Sequence, residues 1–184
     1  AIALVHSATQ ARIAQQERAA LETQLQLVVA PERYDNRMYA DCTRVTDPEL
    51  LGSKNPVMVY RARKAGQDVA LILAPVAPDG YVGAIHLLVG IYRDGRLAGV
   101  RVTEHKETPG LGNKIEAERS DWIQGFTGKS VTDPAPERWD VTRNGGEFDA
   151  FTGASITPRA VVKAVYKSLD YYARHQDALF AAPN

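Results

Sequence analysis

The sequence predicts an α+β fold in which one antiparallel β-sheet carries helices on one face and at its ends. Three observations carry that prediction. Two stretches alternate apolar and polar residues on either side of tight turns, at Lys64-Ala65-Gly66 and at Asp94-Gly95. A run free of proline and glycine, residues 7–29, precedes them. A second helical pattern near the end of the chain places Val161, Val165 and Leu169 four residues apart.

Within residues 7–29, Ile13, Ala20, Leu21, Leu25 and Val28 recur at three-to-four spacing. The segment reads as an amphipathic helix that stops before Pro31, either packed on the body or standing off it as a stalk. A polar connection with a short helical turn follows, up to Pro56. "VMVYRARKAGQDVALILAPVAPDGY" reads as a β-hairpin and "AIHLLVGIYRDGRLAGVRVTEHKE" as a stronger one, giving about four antiparallel strands. Then come a Pro/Gly loop, "TPGLGNKI", a short helix over residues 116–125, and a short strand over residues 139–142 ahead of the Gly145-Gly146 turn. Thr157 reads as the N-cap of the last helix and Pro158 as its first residue, with the helix reaching about Arg174.

A chain of 184 residues suits one globular domain with an appended arm. Lys and Arg number 22, and so do Asp and Glu, so the basic excess that nucleic-acid binding uses is absent. The single cysteine, Cys42, excludes an internal disulfide and any multi-cysteine metal or iron–sulfur site, and reads as a packed thiol. No stretch approaches the roughly 20 apolar residues of a membrane span. The chain starts "AIALVHSATQ", without methionine, which reads as a processed or cut beginning with something missing upstream.

Familiar catalytic motifs are absent: there is no phosphate-binding GxxxxGK[ST], no GxSxG and no HExxH. His6, His86, His105 and His175 are scattered without metal-ligand spacing. Two segments stand out. In "ETPGLGNK", Glu107 to Lys114, Gly110 and Gly112 let the backbone approach a flat or anionic group closely, although a plain turn would use the same residues. In "DAFTGASITPRAVVKAV", the small and hydroxyl residues Thr152, Gly153, Ala154, Ser155 and Thr157 crowd the start of a helix. Thr157 alone would serve as a cap. The free N–H groups and dipole of a helix start attract anions, and a hydroxyl there can hydrogen-bond a phosphate or be esterified by one. The residues therefore point to a phosphate-bearing ligand, held by hydrogen bonds or by an ester.

"APDGYVGAIHLLVGI", "RVTEHKETPGLGNKIE" and "FDAFTGASITPRAVVKAV" closely resemble the G subunit of the Rnf (Rsx) ion-translocating electron-transport complex. More loosely they resemble the FMN-binding domain of the C subunit of sodium-pumping NADH:quinone reductase. The resemblance runs from about Pro31 to Tyr172. It implies an FMN-binding domain, residues 31–184, on the periplasmic side of the inner membrane. It also implies that the helix of residues 1–30 follows a missing transmembrane anchor.

Members of this family carry FMN through a phosphoester to threonine in a D-x-x-(S/T)-G-A-T pattern, installed by a dedicated flavin transferase. Asp149, Thr152, Gly153 and Ala154 fit that pattern, and Ser155 stands at the acceptor position where the family has threonine. The resemblance further implies that Glu107, Thr108, Leu111 and Gly112 face the isoalloxazine, that Gly80 and Tyr81 lie near it, and that Thr152, Gly153, Ser155 and Thr157 hold the phosphate end with Lys114 offsetting its charge; Gly110 and Ala154 complete the cofactor-binding set. The implied function is an electron relay, working with the other subunits of a membrane complex that couples electron flow between ferredoxin and NAD to ion transport. Two other readings use the same pocket: an extracytoplasmic module binding a phosphorylated ligand noncovalently, and a free-standing flavin reductase.

Overall fold

The computed structural model describes the backbone of residues 2–184 and the side chains of residues 9–184; the side chains of His6 and Ser7 fall outside it. Its elements are α1 (Ile2–Gln26), β1 (Cys42–Asp47), β2 (Ser53–Lys64), β3 (Gln67–Leu73), β4 (Val76–Ala77), β5 (Ile85–Tyr92), β6 (Leu97–Glu104) and α2 (Ile156–Ala181), with short 3-10 turns between β6 and α2. The α+β class stands. All six strands form one antiparallel sheet, in which β3 and the short β4 share one edge of β5 while β6 takes the other.

The two expected hairpins form. Lys64 pairs with Gln67 across Ala65 and Gly66, both with positive φ, the geometry whose twist matches that of the flanking strands. The second hairpin, β5–β6, turns through Asp94 and Gly95, where the Asp94 carboxylate accepts the Arg96 N–H at 3.0 Å.

Several expectations need correction. The polar connection contains a whole strand: β1 pairs with β2 from Cys42–Tyr60 onward. Residues 139–142 make a single parallel bridge, Val141 to Phe148, and not a strand, because Asp140 turns the chain by accepting the Val141 N–H and the Asn144 amide. The helix expected over residues 116–125 is a turn followed by a 3-10 segment, Trp122–Phe126. Helix α2 continues past Arg174 to Ala181.

The sheet buries both faces. Against one lies α2, whose Val161, Val162, Val165 and Leu169 pack on Val59, Leu71, Leu73, Val89 and Ile91. Against the other lie Leu25, Val28 and Val29, at and just after the end of α1, and Met38, clustered with Tyr60, Ile72 and Leu88 of the sheet. Here β5 and β6 align Gly90 with Gly99 to form a notch for Val28: a Cβ at Gly90 would lie 2.5 Å from Val28 Cγ1, and one at Gly99 2.8 Å from the Val28 carbonyl. Residues 9–20 of α1 are exposed, Ile13 to 49%. No helix among the described residues is long and apolar enough to cross a membrane. Cys42 packs beside the second cluster and donates to the Tyr39 carbonyl at 3.4 Å.

The far end of α2 explains its length. The last carbonyls of a helix lack partners within it. Arg61, buried in β2, donates to the carbonyls of Leu179 at 2.8 Å and Ala182 at 2.6 Å, and Arg63 donates to that of Phe180 at 2.9 Å. Asp41 joins both guanidiniums, at 3.0 and 2.8 Å. Burial raises the Asp41 carboxyl pKa, but the hydrogen bonds from Arg63 and Arg61 outweigh it and hold the group below its ordinary value of 3.8.

Two outcomes follow from this clamp. Arg61→Ala takes from Asp41 and from the Leu179 and Ala182 carbonyls a buried donor and lowers stability by about 3–5 kcal/mol, read as a fall in the urea midpoint. Because the folded pKa of Asp41 lies below its unfolded one, its contribution is present above the unfolded value and disappears as pH falls through the folded value. The urea midpoint therefore drops in acid below about pH 4, and Asp41→Asn flattens that part of the curve.

Candidate functional site

The start of α2 meets the loop after β6 beneath a cavity of about 340 Å³. Separate segments of the chain line it: Tyr81 from the β4–β5 loop, Glu107, Thr108, Leu111 and Gly112 from the loop after β6, Arg143 from a 3-10 turn, and Gly153 to Thr157 leading into α2. Its size falls in the range of small-ligand sites.

Most of the residues singled out in the sequence come together here. Tyr81, Glu107, Thr108, Leu111, Gly112, Gly153, Ala154, Ser155 and Thr157 all line the cavity. Gly80, Gly110, Lys114 and Thr152 do not. Gly80 packs behind the wall, where a Cβ would lie 2.1 Å from the Gly83 carbonyl and 3.0 Å from Glu107 Oε1. Gly110, Lys114 and Thr152 are exposed outside it. Arg143 and Ile156 carry no motif and were not anticipated. Arg143, and not Lys114, supplies the positive charge at the cavity; the packing of Val141, Trp139 and Phe148 into the core brings its turn to the mouth.

Thr157 is not the N-cap. Ser155 occupies that position, Ile156 is the first helical residue, and Thr157 and Pro158 follow inside the first turn. A proline there removes only an N–H that the helix would leave unpaired. The Thr157 side chain is fully buried, and its hydroxyl donates to Glu107 Oε2. Glu107 is itself 4% exposed, and its carboxylate accepts the Val82 N–H at Oε1, 3.0 Å away. The Glu107 N–H donates to His105 Nδ1 at 3.0 Å, and His105 Nε2 lies 2.8 Å from Glu116 Oε1.

Ser155 differs from Thr157 in every respect that matters for chemistry. Its side chain is half-buried on the cavity wall and makes no capping hydrogen bond. The N–H groups that open α2 lie beside it, and Arg143 forms no ion pair among the described residues. The cavity thus has a polar end suited to an anion. At its opening apolar side chains are exposed to solvent: Tyr81 is 69% exposed, Ile156 51% and Leu111 43%, with Val82 at 50% beside them. Exposed apolar side chains gathered at one opening mark a candidate binding surface.

Glycine at position 112 keeps the loop closed on the helix. A Cβ there would lie 2.9 Å from both Glu107 Cβ and Thr157 Oγ1. Gly112→Val therefore forces the loop after β6 away from α2 and costs about 1–3 kcal/mol, as overpacking does. Urea denaturation checks this, with the exposed Lys114→Ala expected to leave the midpoint unchanged.

Residues 80–170 match the FMN-binding domain family. The chain is 49% identical to the G subunit of the ion-translocating oxidoreductase complex of Pseudomonas aeruginosa over 98% of its own length and 84% of the relative's. It is 46% identical to the corresponding subunit of Pseudoalteromonas atlantica, over 100% of this chain and 85% of that one. In fold it is similar to the solved C subunit of the Na(+)-translocating NADH-quinone reductase of Parabacteroides distasonis, with a TM-score of 0.50 and 22% identity over 76% of this chain and 70% of that one. On its sequence, the chain belongs to the family of G subunits of the ion-translocating oxidoreductase complex.

Proposed function

We propose that this chain is the FMN-carrying electron-transfer subunit of an ion-translocating oxidoreductase complex, with the flavin esterified through its phosphate to Ser155. The observation that carries the reading is the contrast between two neighbouring hydroxyls. That of Ser155 is unengaged, on the cavity wall at the helix start, whereas that of Thr157 is buried and committed to Glu107. Serine offers the same nucleophilic oxygen as the threonine of the family pattern and lacks only a methyl group.

The residues fit FMN at both ends. The first N–H groups of α2 and the Arg143 guanidinium offset phosphate charge, with Gly153 and Ala154 leaving room for it. Tyr81, Leu111 and Ile156 offer apolar surface to the ring system, and Thr108 and the backbone near Gly112 offer hydrogen bonds to its polar edge. FMN, when bound, supplies one- and two-electron redox chemistry, and the protein's task is to hold it and tune it. No side chain in the cavity is asked to act as acid, base or nucleophile on a substrate that turns over.

The fuller reading follows the family resemblance. A dedicated flavin transferase installs the flavin from a phosphoanhydride of FMN such as FAD: the Ser155 oxygen forms the new O–P bond as the P–O–P bond breaks, the nucleotide monophosphate leaves, and the hydroxyl proton passes to solvent. The domain lies on the periplasmic side of the inner membrane, held there by a transmembrane segment, and passes electrons within a complex linked to ferredoxin and NAD. The names of its relatives, subunits of an ion-translocating oxidoreductase, support that assignment.

Co-expression with the matching transferase, followed by denaturing electrophoresis, tests the attachment. Parent and Ser155→Thr protein keep flavin fluorescence in the denatured band. Ser155→Ala loses it, and Thr157→Ala retains it on a less stable protein. Flavin that leaves the parent on denaturation would favour a noncovalent site, and retention by Ser155→Ala would move the acceptor elsewhere.

A further inference from the structure

Glu107 stands apart from the other carboxylates near the cavity. It lines the wall, is nearly sealed from water, and among the described residues has no Lys, Arg or His as an ion-pair partner. Both of its oxygens are engaged, Oε1 by the Val82 N–H and Oε2 by the Thr157 hydroxyl. The nearest imidazole does not neutralise it. His105 accepts the Glu107 N–H at Nδ1 and turns its Nε2 to Glu116, away from the Glu107 carboxylate.

A latch between the β4–β5 loop and α2 does not require this charge. Glutamine has the same shape, and could accept from Val82 through its carbonyl while donating to Thr157 through its amide. An unpaired buried charge is costly compared with a neutral amide making the same contacts. Its distinguishing property is its field. Buried charges are little screened by salt, and a fixed negative charge opposes the arrival of an electron nearby. The positive end of α2 offsets only part of it.

From this we infer that Glu107 is a positioning residue whose sealed charge holds down the reduction potential of the flavin in the cavity. The inference rests on the FMN reading above. Gly112 completes the arrangement, since its missing side chain is what lets the loop close over Glu107 and Thr157.

The test compares parent, Glu107→Gln and Thr157→Val, each loaded with FMN by the transferase, in a spectroelectrochemical titration of the flavin. Glu107→Gln raises the midpoint potential, with a urea midpoint no lower than the parent's and the hydrogen-exchange protection of the Val82 amide preserved. Thr157→Val keeps the charge but removes a donor that partly satisfies it, and shifts the potential the opposite way. That second variant decides the matter if the glutamine protein fails to fold. Loaded variants with the parent's potential would overturn the inference and leave Glu107 as a latch. Shifts of the same sign in both would also overturn it, by indicating a loosened cavity. A parent that takes up no FMN would overturn the reading of the cavity and the inference with it.

Discussion

The hydrogen bond from the Thr157 hydroxyl to the Glu107 carboxylate joins two segments fifty residues apart, and the cavity exists where they meet. One segment comes off the end of β6 and the other opens α2. The same carboxylate reaches a third segment through the Val82 N–H. A single buried acid thus fixes the positions of Leu111, Tyr81 and Ser155 relative to one another, and glycine at position 112 keeps the junction tight enough to exclude solvent.

This hold at the start of α2 has a counterpart at its end. There Arg61 and Arg63 collect the last carbonyls of the helix, with Asp41 balancing their charge. Between the two fixed ends, an apolar face of valines and leucine rests on the sheet. The helix is therefore a rigid mount, and Ser155 stands where its N-terminal partial charge is strongest. Sites carried on rigid elements hold their geometry better than sites on free loops.

Much of this was legible in the sequence, for identifiable reasons. Both hairpins declare themselves through local chemistry, a glycine at each turn between alternating runs. The cavity wall was legible as two motifs, "ETPGLG" and "TGAS", because small residues gathered without a structural excuse point to close approach. What stayed hidden depends on distant partners. Strand β1 is short and carries polar and charged residues, and only pairing with β2 makes it a strand. The last turns of α2 depend on arginines more than a hundred residues earlier in the chain. Arg143 reaches the cavity through the packing of Trp139 and Phe148, which no local pattern encodes. Thr-Pro imitates a helix start closely enough to mask the true cap, two residues earlier at Ser155.

The central claim is that one hydroxyl, Ser155, carries a flavin through its phosphate in this cavity. The most direct measurement is the intact mass of the full-length protein from membranes of its native host, followed by fragmentation of the peptide spanning residues 149–159. The expected mass exceeds that of the polypeptide by one FMN less one water, with the addition on Ser155. An unmodified polypeptide mass, or an addition on Thr152 or Thr157, would contradict it.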